Sequence, residues 1–113
     1  MKQSTDFAKH ISGFLGNFLT NEKGVSNNTI KSYSYTFILF INYMHGVKKI
    51  DINQLSFKHI TKPVIVDFLN WLQSDRNCCD ATRNQRLAAI SSFIKYAEYM
   101  NPATLYESHK ILS

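Results

Sequence analysis

Proline and glycine are scarce in this chain, with two prolines and four glycines among 113 residues. A loop-rich all-β protein needs more turn formers than that, and a disordered one would not hold 44% apolar residues. Cysteine is almost absent. Cys78 and Cys79 are neighbours in the sequence, so they imply no disulfide framework. No histidine or further cysteine stands at zinc-ligand spacing to them. The pair reads as two small apolar side chains in a loop, and the chain as cytoplasmic. No apolar run approaches the length of a membrane span, and the opening MKQSTDFAKHISG has no apolar signal core, so no membrane partner is expected.

The constellations that carry catalysis are missing too. His10, His45, His59 and His109 are scattered, with no HxH or HExxH among them. Surface and helix-end positions account for them. The carboxylates are spread without a local pair for acid–base work. There is no GxGxxG and no glycine-rich phosphate loop. The expectation is no metal, no cofactor and no enzyme activity within this stretch.

What is present is helical periodicity. Length and apolar content suit one domain with its own core, and spacing predicts four helices. The first covers about 4–20, with Phe7, Ile11, Phe14, Leu15, Phe18 and Leu19 on one stripe and Gly24 as the stop. The second covers about 27–45, with Ser26 as N-cap. Its stripe is Ile30, Tyr33, Phe37, Phe40, Ile41 and Met44, and Gly46 is placed to close it in the left-handed conformation. Residues 47–60 read as a connector, since "KIDIN" alternates but has no partner strand. The third covers about 62–74, capped by Thr61, with Pro63 in its first turn. Ile65, Phe68, Leu69 and Leu72 face inward there, with Trp71 alongside. After the turn DRNCCD the fourth covers about 81–100, capped by Asp80 or Cys79. Leu87, Ile90, Ile94 and Ala97 form its stripe, Phe93 lies at the margin, and Asn101-Pro102 ends it. Such stripes bury apolar area only against one another, which predicts a compact four-helix all-α domain over 1–101. Residues 102–113 read as a linker.

Charge sorts these helices. The net charge is +5, which favours polyanionic partners. No carboxylate lies between Glu22 and Asp51, and none between Asp80 and Glu98. The two gaps cover the second and fourth helices. The first gap holds Lys23, Lys31, Lys48 and Lys49; the second holds Arg83, Arg86 and Lys95. A helix lying against phosphates gains from Lys and Arg and loses from any carboxylate. Its polar face must also offer side chains to phosphate oxygens and base edges. The candidates are Asn28, Thr29, Lys31, Ser32 and Tyr35 on the second helix. On the fourth they are Thr82, Arg83, Asn84, Gln85, Arg86 and Lys95. Lys31, Arg83, Arg86 and Lys95 suit phosphates or guanine edges, and the others suit the groove. Arg83 and Arg86 border the apolar stripe, so one of them is expected to pack by its stem. Tyr33, Phe37 and Phe40 read as core rather than as base-stacking platforms.

Two segments carry a family pattern. "GVSNNTIKSYSYTFILFINYM" has Ser, two residues, Thr-Ile, then Tyr and an apolar helix end. "DATRNQRLAAISSFIKYAEYMNPA" has Thr, a polar pair, Arg-Leu, Ala-Ile, Ser-Phe, Tyr and Asn-Pro. Between them lies a helix with Ile60-Thr61, Ile65, Phe68-Leu69 and Leu72. The ordered set, over about residues 7–103, resembles the N-terminal core-binding (SAM-like) domain of the tyrosine recombinase, or phage integrase, family. That resemblance implies a domain that clamps one face of double-stranded DNA, with its second and fourth helices in the major groove. It implies a separate C-terminal catalytic domain on the other face, and a homo-tetramer on DNA assembled partly through the first helix. The family's Arg, Lys, His, Arg and nucleophilic Tyr lie in that catalytic domain. None of the six tyrosines here matches the nucleophile, so this stretch is expected to bind DNA without cutting it. The rival readings are a helical SAM-like protein–protein interaction module, a helix-turn-helix regulator, which the long connector fits poorly, and an enzyme built from dispersed residues.

Overall fold

Helix is the only regular structure among the described residues. The computed structural model describes residues 6–22, 24–56 and 59–100. The expected helix start at Ser4, the Asn101-Pro102 stop and the linker over 102–113 lie outside the described residues. The chain divides into two compact units, Met1–Ser56 and Phe57–Ser113.

In the first unit, helix α1 (Asp6–Gly13) continues directly as a π-helical segment, Phe14–Glu22. The sequence predicts an ordinary α-helix there, so the widened turns are a correction. In a π-helix each turn closes on the fifth residue. Phe14 and Leu19, five apart, are accordingly both buried. Phe18 stacks on Phe14 with ring centroids 6.1 Å apart. Helix α2 (Asn27–Gly46) packs against this segment. Phe14 stacks on Tyr33 at 6.2 Å and meets Phe37 edge-on at 6.2 Å. Phe7 reaches Phe40 at 6.0 Å. Each such ring contributes roughly 1.5–3 kcal/mol when fully buried. Thr36, Leu39 and Tyr43 join the buried set, although the expected stripe omits them. Thr36 is tolerated because its hydroxyl donates to the Ser32 carbonyl at 3.1 Å, leaving no buried donor unpaired.

In the second unit, α3 (Lys62–Asp75) packs against α4 (Asp80–Met100). Ile65, Phe68, Leu69 and Leu72 are buried on α3 as expected, with Trp71 half-buried beside Phe68. The buried face of α4 is Ala89, Ile90, Phe93, Ile94, Tyr96 and Ala97. That face is rotated from the expected one. Phe93 is 1% exposed and central, whereas Leu87 is 37% exposed and lies outside the core.

Helix starts follow the sequence closely. Ser26 caps α2, its hydroxyl oxygen accepting the Thr29 N–H at 3.2 Å. Thr61 caps α3 by accepting the Val64 N–H at 3.3 Å. Helix α4 begins one residue early, with Asp80 inside it and the Cys79 carbonyl accepting the Arg83 N–H at 2.9 Å.

Helix ends differ more from expectation. Gly46 stays helical and Val47 closes α2, its N–H donating to the Tyr43 carbonyl. The left-handed residue is Lys49, at φ 61°. Ile50 then donates to the Met44 carbonyl at 2.9 Å. The other two exits repeat this geometry. Gly24, at φ 63°, precedes a 3.1 Å bond from Val25 N–H to the Leu19 carbonyl. Asn77, at φ 53°, precedes a 3.0 Å bond from Cys78 N–H to the Leu72 carbonyl. In each case a left-handed residue turns the chain back onto a carbonyl of the helix's last turns.

Candidate nucleic-acid interface

Two faces hold the expected side chains, one on each unit. Along α2, Asn28, Lys31 and Tyr35 are exposed at spacings of three and four, which puts them on one side of the helix. No carboxylate occurs in the twenty residues of this helix. Thr29 and Ser32 are half-buried and engaged locally. The Thr29 hydroxyl lies 3.0 Å from that of Ser26, and the Ser32 carbonyl accepts from Thr36. The exposed side chains of the α2 set are Asn28, Lys31 and Tyr35. The same side continues through Ile38, Asn42 and His45, all exposed. Reading the helix by its apolar stripe passes over these three, because an exposed isoleucine breaks no periodic rule.

On α4, Asn84, Gln85 and Lys95 are exposed. Asn84 and Lys95 stand three turns apart on one side. Thr82 is drawn into the helix start, its hydroxyl 3.3 Å from the Cys79 thiol. Arg83 and Arg86 are both half-buried, so stem packing applies to two arginines rather than one. The Arg83 Nη2 donates to Asn70 Oδ1 on α3 at 3.4 Å. Its Nε is buried with no hydrogen-bond partner in the protein. A buried unsatisfied donor costs about 1–3 kcal/mol, and more where the group is charged.

Phosphate binding at the N-terminus of α4 is opposed by what is already there. Hydrogen bonding of Cys79 with the Thr82 hydroxyl, and with the Thr82 and Ala81 backbone N–H groups, lowers the pKa of its thiol. Burial and the neighbouring Cys79 charge push the Cys78 thiol the other way. Asp80 puts a carboxylate in the same turn, held by the Gln73 amide at 2.8 Å. The useful part of α4 is thus its middle, from Asn84 to Lys95.

Other cations are engaged elsewhere. Lys48 Nζ lies 6.0 Å from the centre of the Tyr43 ring, and the Arg76 guanidinium 5.3 Å from that of Trp71. His45 Nδ1 approaches Asp51 Oδ1 at 3.6 Å, an exposed pair of little energetic weight. Among the described residues, no three of His, Cys, Asp and Glu cluster as metal ligands. Nor is any helix among them long and apolar enough to cross a membrane.

The fold and these faces define a class: a small all-α domain whose two longest helices are acid-free along their middles. Its family is more specific. The sequence model of the family described as "Phage integrase, N-terminal SAM-like domain" matches residues 11–100. The chain belongs to that family. It is also similar to two proteins of Sinorhizobium fredii (strain NBRC 101917 / NGR234). One is named "Putative integrase/recombinase y4rC", 28% identical over 113 residues, covering 100% of this chain and 34% of that protein. The other is named "Putative integrase/recombinase y4rD", 28% identical over 95 residues, covering 84% of this chain and 34% of that protein. This chain therefore spans about a third of the length of these curated relatives. No solved structure gives a significant match.

Proposed function

We propose that this chain binds double-stranded DNA as the N-terminal part of a tyrosine-type site-specific recombinase, with α2 and α4 each lying against the duplex. The observation that carries the proposal is the exposed side of α2. It offers Asn28, Lys31 and Tyr35 from a helix without a single carboxylate. Lys31 supplies the phosphate contact, and Asn28 and Tyr35 supply hydrogen-bonding groups beside it. On α4, Lys95 plays the part of Lys31, Asn84 and Gln85 face the groove, and Arg83 and Arg86 offer only what their packed stems leave exposed. Residues 1–101 form the DNA-binding part in this reading, and 102–113 lead towards a catalytic domain. Strand cleavage and joining, and tetramer assembly on the recombination site, belong to the whole protein.

The reading as an interaction module has less behind it. Its best exposed apolar residues on α4, Leu87 and Tyr99, fall on different sides of that helix.

A salt titration of binding to a mixed-sequence duplex, followed by fluorescence anisotropy, tests the proposal. Affinity falls steeply with salt, and Lys31→Ala reduces the log–log slope by about one while the protein stays folded by circular dichroism. Absence of binding at low salt by the folded protein would overturn it.

A further inference from the structure

The exposed side of α2 has an apolar centre that phosphate binding does not explain. Its residues run Asn28, Lys31, Tyr35, Ile38, Asn42, His45, at alternating spacings of three and four. Both ends are polar, and the middle is Tyr35, 49% exposed, and Ile38, 53% exposed. The chain neighbours of Ile38 are core: Phe37 is 3% and Leu39 6% exposed. Ile38 thus leaves more than half of its surface outside the core, midway along this face.

We infer that Ile38, flanked by Tyr35, reads the 5-methyl group of thymine in the major groove. This rests on the DNA-binding reading above. An isoleucine has no donor or acceptor, so it reads none of the hydrogen-bonding atoms of a base edge. The one apolar group that the major groove displays is the thymine methyl. The surrounding polarity fits the same occupant. Lys31 stands seven residues, two turns, before Ile38, within reach of a phosphate at the groove wall, and Asn42 stands one turn beyond it. An asparagine amide pairs best with the N6 and N7 edge of adenine, so the face as a whole favours A·T pairs. A purely apolar protein partner fits this face less well, because Asn28, Lys31 and Asn42 bracket the apolar pair closely.

The test removes the methyl group and nothing else from the base edge. Binding of the 113-residue chain to alternating poly(dA-dT) and poly(dA-dU) duplexes is compared by anisotropy at one salt concentration. A second pair, poly(dG-dC) with and without 5-methylcytosine, restores a methyl group at the matching groove position. The thymine duplex binds about fourfold tighter per contacted methyl than the uracil duplex, the transfer value of one buried carbon group. Methylation of cytosine gains a similar factor. Ile38→Ala, at a position more than half exposed, keeps the fold and brings both ratios close to one. Equal binding of the thymine and uracil duplexes, with the steep salt dependence intact, overturns methyl reading but leaves DNA binding standing. Ratios unchanged in Ile38→Ala overturn the assignment to this residue. Failure to bind any of the four duplexes overturns the DNA-binding reading as well.

Discussion

Cys78 and Cys79 show how far two identical side chains diverge once a helix start is placed beside one of them. Cys79 sits at the first turn of α4, where a hydroxyl and two backbone N–H groups stabilise its thiolate. Cys78 is pushed up by burial and by its neighbour, and its thiol donates to the Cys79 carbonyl at 3.4 Å. The thiolate is the reacting form. With iodoacetamide near neutral pH, Cys79 is therefore alkylated first, and peptide mass mapping reads the order. The lowered pKa sets the sign: labelling of Cys79 slows as pH falls through its own pKa, while Cys78 needs more alkaline solution. Equal labelling across that range would mean the helix-start hydrogen bonds are not formed. Nothing in the residue order CCD announces this difference. It depends on α4 starting at Asp80, one residue before the expected position, which makes Cys79 the capping residue.

Helix starts are short-range chemistry, and Ser26 and Thr61 were legible because one hydroxyl and the N–H three residues on suffice to define a cap. Helix ends are harder to read. Three exits here use the same left-handed turn, through Gly24, Lys49 and Asn77. Glycine enters that region freely and asparagine tolerates it, whereas lysine meets a clash of its Cβ costing about 1–2 kcal/mol. A rule that looks for glycine therefore selects Gly46, three residues too early. Lys49→Gly is expected to stabilise the protein by about 1 kcal/mol, raising the thermal midpoint by a few degrees for a chain of this size. Calorimetry that shows no gain would argue against a left-handed Lys49. The π-helical segment was illegible for a related reason. Phe14, Phe18 and Leu19 satisfy α-helical and π-helical spacing about equally well, and the wider turn goes with the packing of Phe14 against Tyr33 and Phe37.

For the whole molecule, the distribution of the eight carboxylates says more than the +5 total. The acid-free helices, the all-α class and the family were all readable from residue order. The orientation of α4 was not. Moving Phe93 to the centre of the buried face and Leu87 off it is a rotation of part of a turn, and apolar residues on adjacent positions fit either choice. That rotation turns Arg86 towards the buried face, a result that charge counting alone does not reveal.

Arg83 then sets stability against use. Its buried Nε has no partner, and its link to Asn70 is long at 3.4 Å. A methionine of similar reach would keep the stem contacts and relieve the desolvated charge. In a randomised library at position 83, sorting for heat resistance alone should enrich Met and Leu. Sorting the same library on immobilised duplex should return Arg. If both screens return Arg, the guanidinium is part of the scaffold; if their winners differ, the chain carries a local energetic burden for the sake of a ligand.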